Sequence, residues 1–195
     1  MFHTSGVETT DLLKPIALKG AETFSFHPIF SFASTKIEYS FKDIYIGIES
    51  DSRQALSFAK GMCKNLQCNF VIIPKKLKPI YHAYCVLISN YLTVLLNLFD
   101  KSFFNESKQR AVKVFQGLIE STMFNNLILG TEKALTGPII RGDVNVIEKN
   151  LSAIKQNMPK LKSIYSNLGM LALELAKQNK SLSRNQIKEI EKLNK

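Results

Sequence analysis

An α/β layer followed by an all-α region is the fold class this sequence predicts, and three observations predict it. A β-rich segment, a helix and a second apolar strand follow one another between Asp43 and Ile73, within about 30 residues, as in a βαβ unit. From Leu77 onward the β-forming patterns nearly vanish and helical ones take over, so the boundary falls near Pro74 and divides the chain into 1–74 and 75–195. The composition, 45% hydrophobic and 22% charged over 195 residues, is that of an ordinary globular chain able to bury a substantial core.

The elements follow in order. Thr10-Asp11 opens a brief helical segment that Pro15 disturbs and Gly20 closes. Glu22 to Phe26 alternates as a strand does and ends at His27-Pro28; residues 29–42 read as loop. Asp43 to Glu49 (DIYIGIE) has strand composition. Asp51 is placed to cap a helix running to about Leu66. Asn69 to Ile73 (NFVII) is a short apolar strand stopped by Pro74. Periodicity then predicts helices over 77–101, 106–129, 144–157, 159–178 and 184–193. Leu118, Thr122, Asn125, Leu127 and Leu129 lie in the second, which Gly130 ends. Pro159 suits a first helical turn, and Ser183 with Gln186 forms a capping box. In ALTGPIIRGD, residues 134–143, Gly137-Pro138 breaks one helix and Asp143 caps the next. Arg141 either pairs with Asp143 or faces an anionic ligand.

The helix after Pro74 carries the most informative pattern. Residues 79–99 contain no Asp, Glu, Lys or Arg. At about 100° per residue, Lys78, His82 and Ser89 fall within an arc of about 40°, with Asn90 and Asn97 some 60–80° further round. So apolar a helix should be buried throughout, and its polar row then needs partners from the protein or from a ligand. The segment is also long enough to span a bilayer. Its four polar residues and the lack of an interfacial aromatic belt speak for a helix in a bundle or dimer core, with no membrane partner.

Lys plus Arg (26) against Asp plus Glu (16) gives a net charge of +10. Such a charge suits nucleic acid, phosphate ligands or a solvated lysine-rich surface. The lysines are scattered, apart from Lys75-Lys76-Leu77-Lys78 and the last helix, and no tract interleaves Arg with aromatics as single-strand binders do. The surface reading is preferred, without nucleic acid as partner. Cys63, Cys68 and Cys85 form neither an even framework nor a CxxC pair; Cys63 and Cys85 read as reduced core residues of a cytoplasmic protein. The three histidines show no zinc-ligand spacing, so no metal is expected, and no signal-peptide pattern opens the chain. Neither a hydrolytic Ser-His-Asp or Cys-His order nor a glycosidase-like carboxylate pair is present.

Four motifs carry a family resemblance: His3-Thr4-Ser5-Gly6; Ser25-Phe26-His27-Pro28; Lys78-Pro79-Ile80-Tyr81-His82-Ala83 with Ser89-Asn90-Tyr91; and Leu135-Thr136-Gly137-Pro138-Ile139-Ile140-Arg141-Gly142-Asp143. In this order they resemble the Rossmann-like and DUF2520 domain-containing proteins, of the wider group holding ketopantoate reductase, pyrroline-5-carboxylate reductase and the β-hydroxyacid dehydrogenases. The resemblance covers nearly the whole chain. It implies a partial Rossmann-like sheet over 1–74, then a helical domain over 75–195 like the C-terminal domain of 6-phosphogluconate dehydrogenase, which forms a homodimer and closes the active site. It implies NADP or NAD as cofactor and a small carbonyl or imine acid as substrate. That family opens with strand–Gly-x-Gly-x-x-Gly–helix, which holds the dinucleotide's pyrophosphate. This sequence has no such motif, and roughly the first four strands of the expected domain are missing. The expectation is a truncated chain, or a separate chain supplying the missing half, with weak or absent cofactor binding by this chain alone.

In the relatives so implied, a lysine on the first long helix of the second domain, followed four residues later by a polar residue, faces substrate. Lys78 and His82 match that arrangement, with His where β-hydroxyacid dehydrogenases carry Asn. Lys78 would bring charge to an alkoxide or a carboxylate, His82 would donate or relay a proton, and Asn90 would orient the substrate. The plainer reading makes Lys78 a solvated flanking lysine and His82 a satisfied core histidine. His3, Ser5 and Gly6 would lie at the carboxyl end of a Rossmann strand, where ligands bind in open α/β sheets. His27-Pro28 is similar to the His-Pro after a strand in prephenate dehydrogenases. Thr136, Gly137, Arg141 and Asp143 are expected near substrate or cofactor. A second reading, from another class, is a non-catalytic helical dimerisation or binding module left after loss of the cofactor domain.

Overall fold

The computed structural model describes residues 1–103 and 110–194. They form two compact units, Met1–Ala111 and Val112–Lys195. Strands cease near Pro74, as composition predicts, and the chain's own contacts divide it at Ala111.

The first unit is built on a four-stranded sheet in the order β1 (Phe2–His3), β2 (Phe24–Pro28), β3 (Tyr45–Glu49), β4 (Asn69–Ile72). β1 and β2 are parallel, β2 and β3 antiparallel, β3 and β4 parallel. Between β1 and β2 lies a short helical segment ending in α1 (Lys14–Ala17). The last pair is the expected βαβ unit, with α2 (Arg53–Asn65) as its crossover. Phe24, Phe26, Ile46 and Ile48 pack on Ala55, Ala59 and Cys63 of α2. Small residues on that helical face let it approach the sheet closely, and each fully buried Phe or Ile contributes about 1.5–3 kcal/mol. Burial also pushes the Cys63 thiol up to about 12, so it behaves as an inert core residue.

Four expectations are corrected here. The cap of α2 is Ser52, whose hydroxyl accepts from Ala55 N, and not Asp51. Asp51 is drawn aside by Lys75, whose ammonium bridges it and Asp11 at 2.8 Å each. The helix predicted over 77–101 is a 3₁₀ turn (Lys75–Leu77), then α3 (Lys78–Ile88) and α4 (Asn90–Phe103), separated at Ser89. Most sharply, this segment is not buried throughout. Lys75–Phe103 is long and apolar enough to cross a membrane by length and composition, and none of its most apolar window is buried. The only buried residue of α3 and α4 is Lys78, the one lysine of α3. Cys85, expected in the core, is half-buried.

The second unit comprises α5 (Ala111–Leu129, beginning at the division), α6 (Thr131–Ala134), α7 (Pro138–Arg141), α8 (Val144–Asn157), α9 (Lys162–Gln178) and α10 (Arg184–Leu193). Positions 106–109 of the helix predicted from 106 lie outside the described residues. α8 and α10 keep their predicted ends, and a 3₁₀ turn at Pro159–Leu161 leads into α9. Ile139, Ile147, Leu151, Leu173, Ala176 and Ile190 form the core of this unit. Ser183 and Gln186 make the predicted capping box on α10.

Candidate functional site

The site of the first unit arises from how α3 lies along β2 and β3. Pro74 stops β4, and Pro79 in the first turn of α3 starts a new helix. On the sheet, Ser25 pairs with Glu49 and, two residues along, His27 pairs with Gly47. Lys78 reaches the first pair and Tyr81, three residues later on the same helical face, reaches the second.

Lys78 is 1% exposed. Its ammonium donates to Ser25 Oγ and to the Glu8 carbonyl, and lies 3.8 Å from Glu49. Glu49 is as deeply buried; it accepts from Thr10 N (2.9 Å) and Thr10 Oγ1 (2.8 Å). Burial pulls the Lys78 ammonium below its ordinary pKa, against the opposing pull of Glu49. The lysine is therefore neither the solvated flanking residue of the plainer reading nor part of the cleft wall. It fastens the N-terminal loop, β2 and β3 to the start of α3.

One turn further, the helix carries the cluster that faces a cleft. His27 Nδ1 and Tyr81 OH lie 2.6 Å apart, and the His27 and His82 rings stand 6.0 Å apart at 73°. Two glycines make the approach possible. A Cβ on Gly47 would lie 2.6 Å from Tyr81 OH, and one on Gly6 would lie 2.3 Å from His82 Cδ2 and 2.8 Å from His27 Nε2. Desolvation first, then electrostatic repulsion from the His82 and Lys78 side, pulls His27 down to about 4, so its imidazole is uncharged at neutral pH. Burial pushes the Tyr81 phenol up, so it keeps its proton.

The cleft has a volume of about 870 Å³. Its wall includes the polar groups of His27, Ser31, Tyr81, His82, Ser89 and Asn90, among aromatic and aliphatic side chains. Of the predicted site residues, Gly6, His27 and His82 are brought together, Asn90 lies exposed on the same cleft, and Lys78 is buried against Ser25 and Glu49, outside the cleft lining. His3 and Ser5 shape the N-terminal loop: Ser5 N donates to His3 Nδ1 (3.2 Å), His3 Nε2 meets Thr9 O (3.1 Å), and Glu8 N donates to Ser5 Oγ (3.1 Å). Thr136, Gly137, Arg141 and Asp143 belong to the second unit. There Gly137 adopts φ 100°, and Asp143 caps α8 by accepting from Val146 N. Arg141 is exposed and makes no ion pair with Asp143. Among the described residues no cluster of three or more His, Cys, Asp or Glu is placed to hold a metal. Sequence reasoning gave Tyr81 and Glu49 no role. The signal for Tyr81 was Gly47, a glycine inside a strand where another group approaches closely.

Fold and site define an α/β layer of Rossmann-like type joined to a helical region. The family model for the domain of unknown function DUF2520 matches residues 44–171, and the chain belongs to that family. Its fold is shared by protein TM1727 from Thermotoga maritima, with a TM-score of 0.72 at 24% identity over 92% of this chain and 69% of that one. It is shared also by BF3122 from Bacteroides fragilis, described as a putative NADP oxidoreductase, with a TM-score of 0.69 at 24% identity over 89% of this chain. This chain spans 64% of that second protein. No curated protein matches the sequence.

A dinucleotide's pyrophosphate needs a glycine-rich strand-to-helix turn with free backbone N–H groups. The turn between β3 and α2, Ser50-Asp51-Ser52, has no glycine. Ser52 occupies the helix N-terminus and donates to Glu22, so two carboxylates, Asp51 and Glu22, stand beside it. This turn does not fit a pyrophosphate.

Proposed function

We propose that this chain provides the substrate-binding side of an NAD(P)-dependent oxidoreductase acting on carbonyl or imine compounds. The cleft cluster His27–Tyr81–His82 carries the reading. Reduction of a C=O or C=N bond needs a proton donor and a hydrogen-bond donor near the atom that gains negative charge. Tyr81, protonated and held by His27, and His82 on the same wall meet that need, while Asn90 is placed to orient a substrate. Lys78, given a catalytic role in the sequence reading, acts here by positioning the turn that bears Tyr81 and His82. The name of the B. fragilis neighbour and membership of the DUF2520 family support the reading, which carries NADP as cofactor and a cytoplasmic setting by likeness alone.

The test is NADPH-dependent reduction of a panel of aldehydes, ketones and cyclic imines by the full chain at millimolar NADPH. Turnover is expected to be slow, since the turn between β3 and α2 gives the pyrophosphate no seat and millimolar cofactor must compensate, and Tyr81→Phe or His82→Ala lowers kcat by about 10²-fold or more while the far-ultraviolet spectrum stays unchanged. Turnover that both variants retain overturns the assignment of these residues.

A specific observation favours the second reading, a helical dimerisation module. In α5, Leu118, Phe124, Leu127 and Ile128 are each more than half exposed. A homodimer through such faces is compatible with catalysis. No turnover with any carbonyl compound, from a chain that is a stable dimer, would leave dimerisation as the function.

A further inference from the structure

We propose that the cleft takes an uncharged carbonyl compound bearing an aromatic group, in place of the small carboxylic acid that the family likeness implies. This rests on reading the cleft as the carbonyl-binding site and names its substrate class.

Charge is the first argument. Among the described residues, no Asp, Glu, Lys or Arg lines the cleft. The lysine nearest in sequence to the cluster, Lys78, is buried on the same sheet face, one strand pair away from His27, and spends its hydrogen bonds on Ser25 and Glu8 and its charge on Glu49. The His27 imidazole, at about 4, is uncharged near neutrality, and its Nδ1 is engaged by Tyr81. A substrate carboxylate would meet neither the guanidinium that binds it in two places nor a free ammonium, and a largely apolar wall disfavours an unpaired carboxylate.

Shape is the second argument. A volume of about 870 Å³ is that of sites enclosing drug-sized ligands. At one end stand His27, Tyr81 and His82, able to hold one carbonyl oxygen. The loop after β2 contributes Phe30 and Phe32 to the same cleft. Their rings lie 5.2 Å apart, and Tyr39 packs against them at 5.5 and 5.3 Å. Ala33 N donates to Tyr39 OH at 3.1 Å, and Phe41 supports Phe32 at 6.0 Å, so the loop holds these rings up with its own side chains. Yet Phe30 and Phe32 stay 44% and 48% exposed. Two pre-positioned, half-open rings that share the cleft lining with Ile80 and Tyr84 of α3 suit an edge-to-face or offset contact with a further aromatic ring.

Two probes that differ at one group decide the matter: 1-phenylpropan-2-one, and phenylpyruvate, which carries a carboxylate where the first has a methyl. Each is titrated calorimetrically into the full chain at pH 7.5 without nucleotide. The neutral ketone is expected to bind saturably and at least tenfold more tightly than phenylpyruvate. Phe30→Ala with Phe32→Ala should weaken it tenfold or more, and Phe30→Leu with Phe32→Leu supplies the same comparison should the alanine pair disturb folding. Equal or tighter binding of phenylpyruvate, no saturable binding of the ketone, or affinity unchanged in a folded ring-deleted variant would each overturn the proposal. Because binding is read without NADPH, a chain that binds the ketone and reduces nothing sinks the oxidoreductase reading and leaves this one standing.

Discussion

At Lys78 the arrangement has a direct energetic consequence. Removing one member of a buried ion pair leaves the other charge uncompensated, which costs about 3–5 kcal/mol. Lys78→Met is expected to destabilise the first unit by that amount in urea unfolding. Adding Glu49→Gln, which keeps the Thr10 contacts, should recover most of the loss; an additive double variant would contradict the pairing. His27 makes a second prediction. Its folded value of about 4 lies below its ordinary 6.5, so between these pH values the unfolded chain binds a proton that the native one refuses. The stability is fully present above about 6.5 and falls as pH drops toward 4. The groups facing the ring are Tyr81, His82 and Lys78. Being only half-buried, it contributes roughly 1–2 kcal/mol of that fall. His27→Gln should flatten the decline when unfolding midpoints at pH 7.5 and 4.5 are compared; an equally steep decline would reassign it to other groups.

Among the elements, α10 is the most completely specified by local chemistry. Ser183 Oγ accepts from Gln186 N (3.3 Å), Ser183 N donates to Gln186 Oε1 (2.9 Å), and Gln186 Nε2 also donates to Gly142 O (3.2 Å). Ser183→Ala is expected to cost about 1 kcal/mol. Gln186→Ala should cost more, since it frees the turn before α8 as well; thermal unfolding monitored at 222 nm compares the two. The capping box was legible because it depends on residues three apart. The Ser52 cap and the break at Ser89 were not: Lys75, distant in sequence, pulls Asp51 away, and neither Gly nor Pro marks Ser89.

Each unit, taken by itself, leaves more apolar surface open than a lone soluble chain usually tolerates. In the first unit Ile80, Tyr84 and Ile88 of α3 are exposed, and in the second Leu127 of α5 is 79% exposed. Contiguous faces of this kind mark interfaces. Sedimentation velocity at micromolar concentration should give a dimer, and Phe124→Asp with Leu127→Asp should give a monomer that retains its helical spectrum. A wild-type monomer would exclude self-association through α5.

The order of the main strands and helices, the βαβ unit and the ends of α8 and α10 were readable from the sequence, and His27, His82 and Gly6, singled out there as candidates, are neighbours in the fold. They depend on periodicity, turn chemistry and short motifs, which act over a few residues. The fate of Lys78 was not readable, because helical spacing places it beside His82 and only the pairing of Ser25 with Glu49 brings together the buried partners that hold it. Nor was the exposure of α3 and α4 readable, since hydrophobicity states that a surface needs covering and leaves the source of the cover to tertiary packing. Tyr81 entered the site through Gly47, a contact between residues 34 positions apart that the folded chain alone brings within reach.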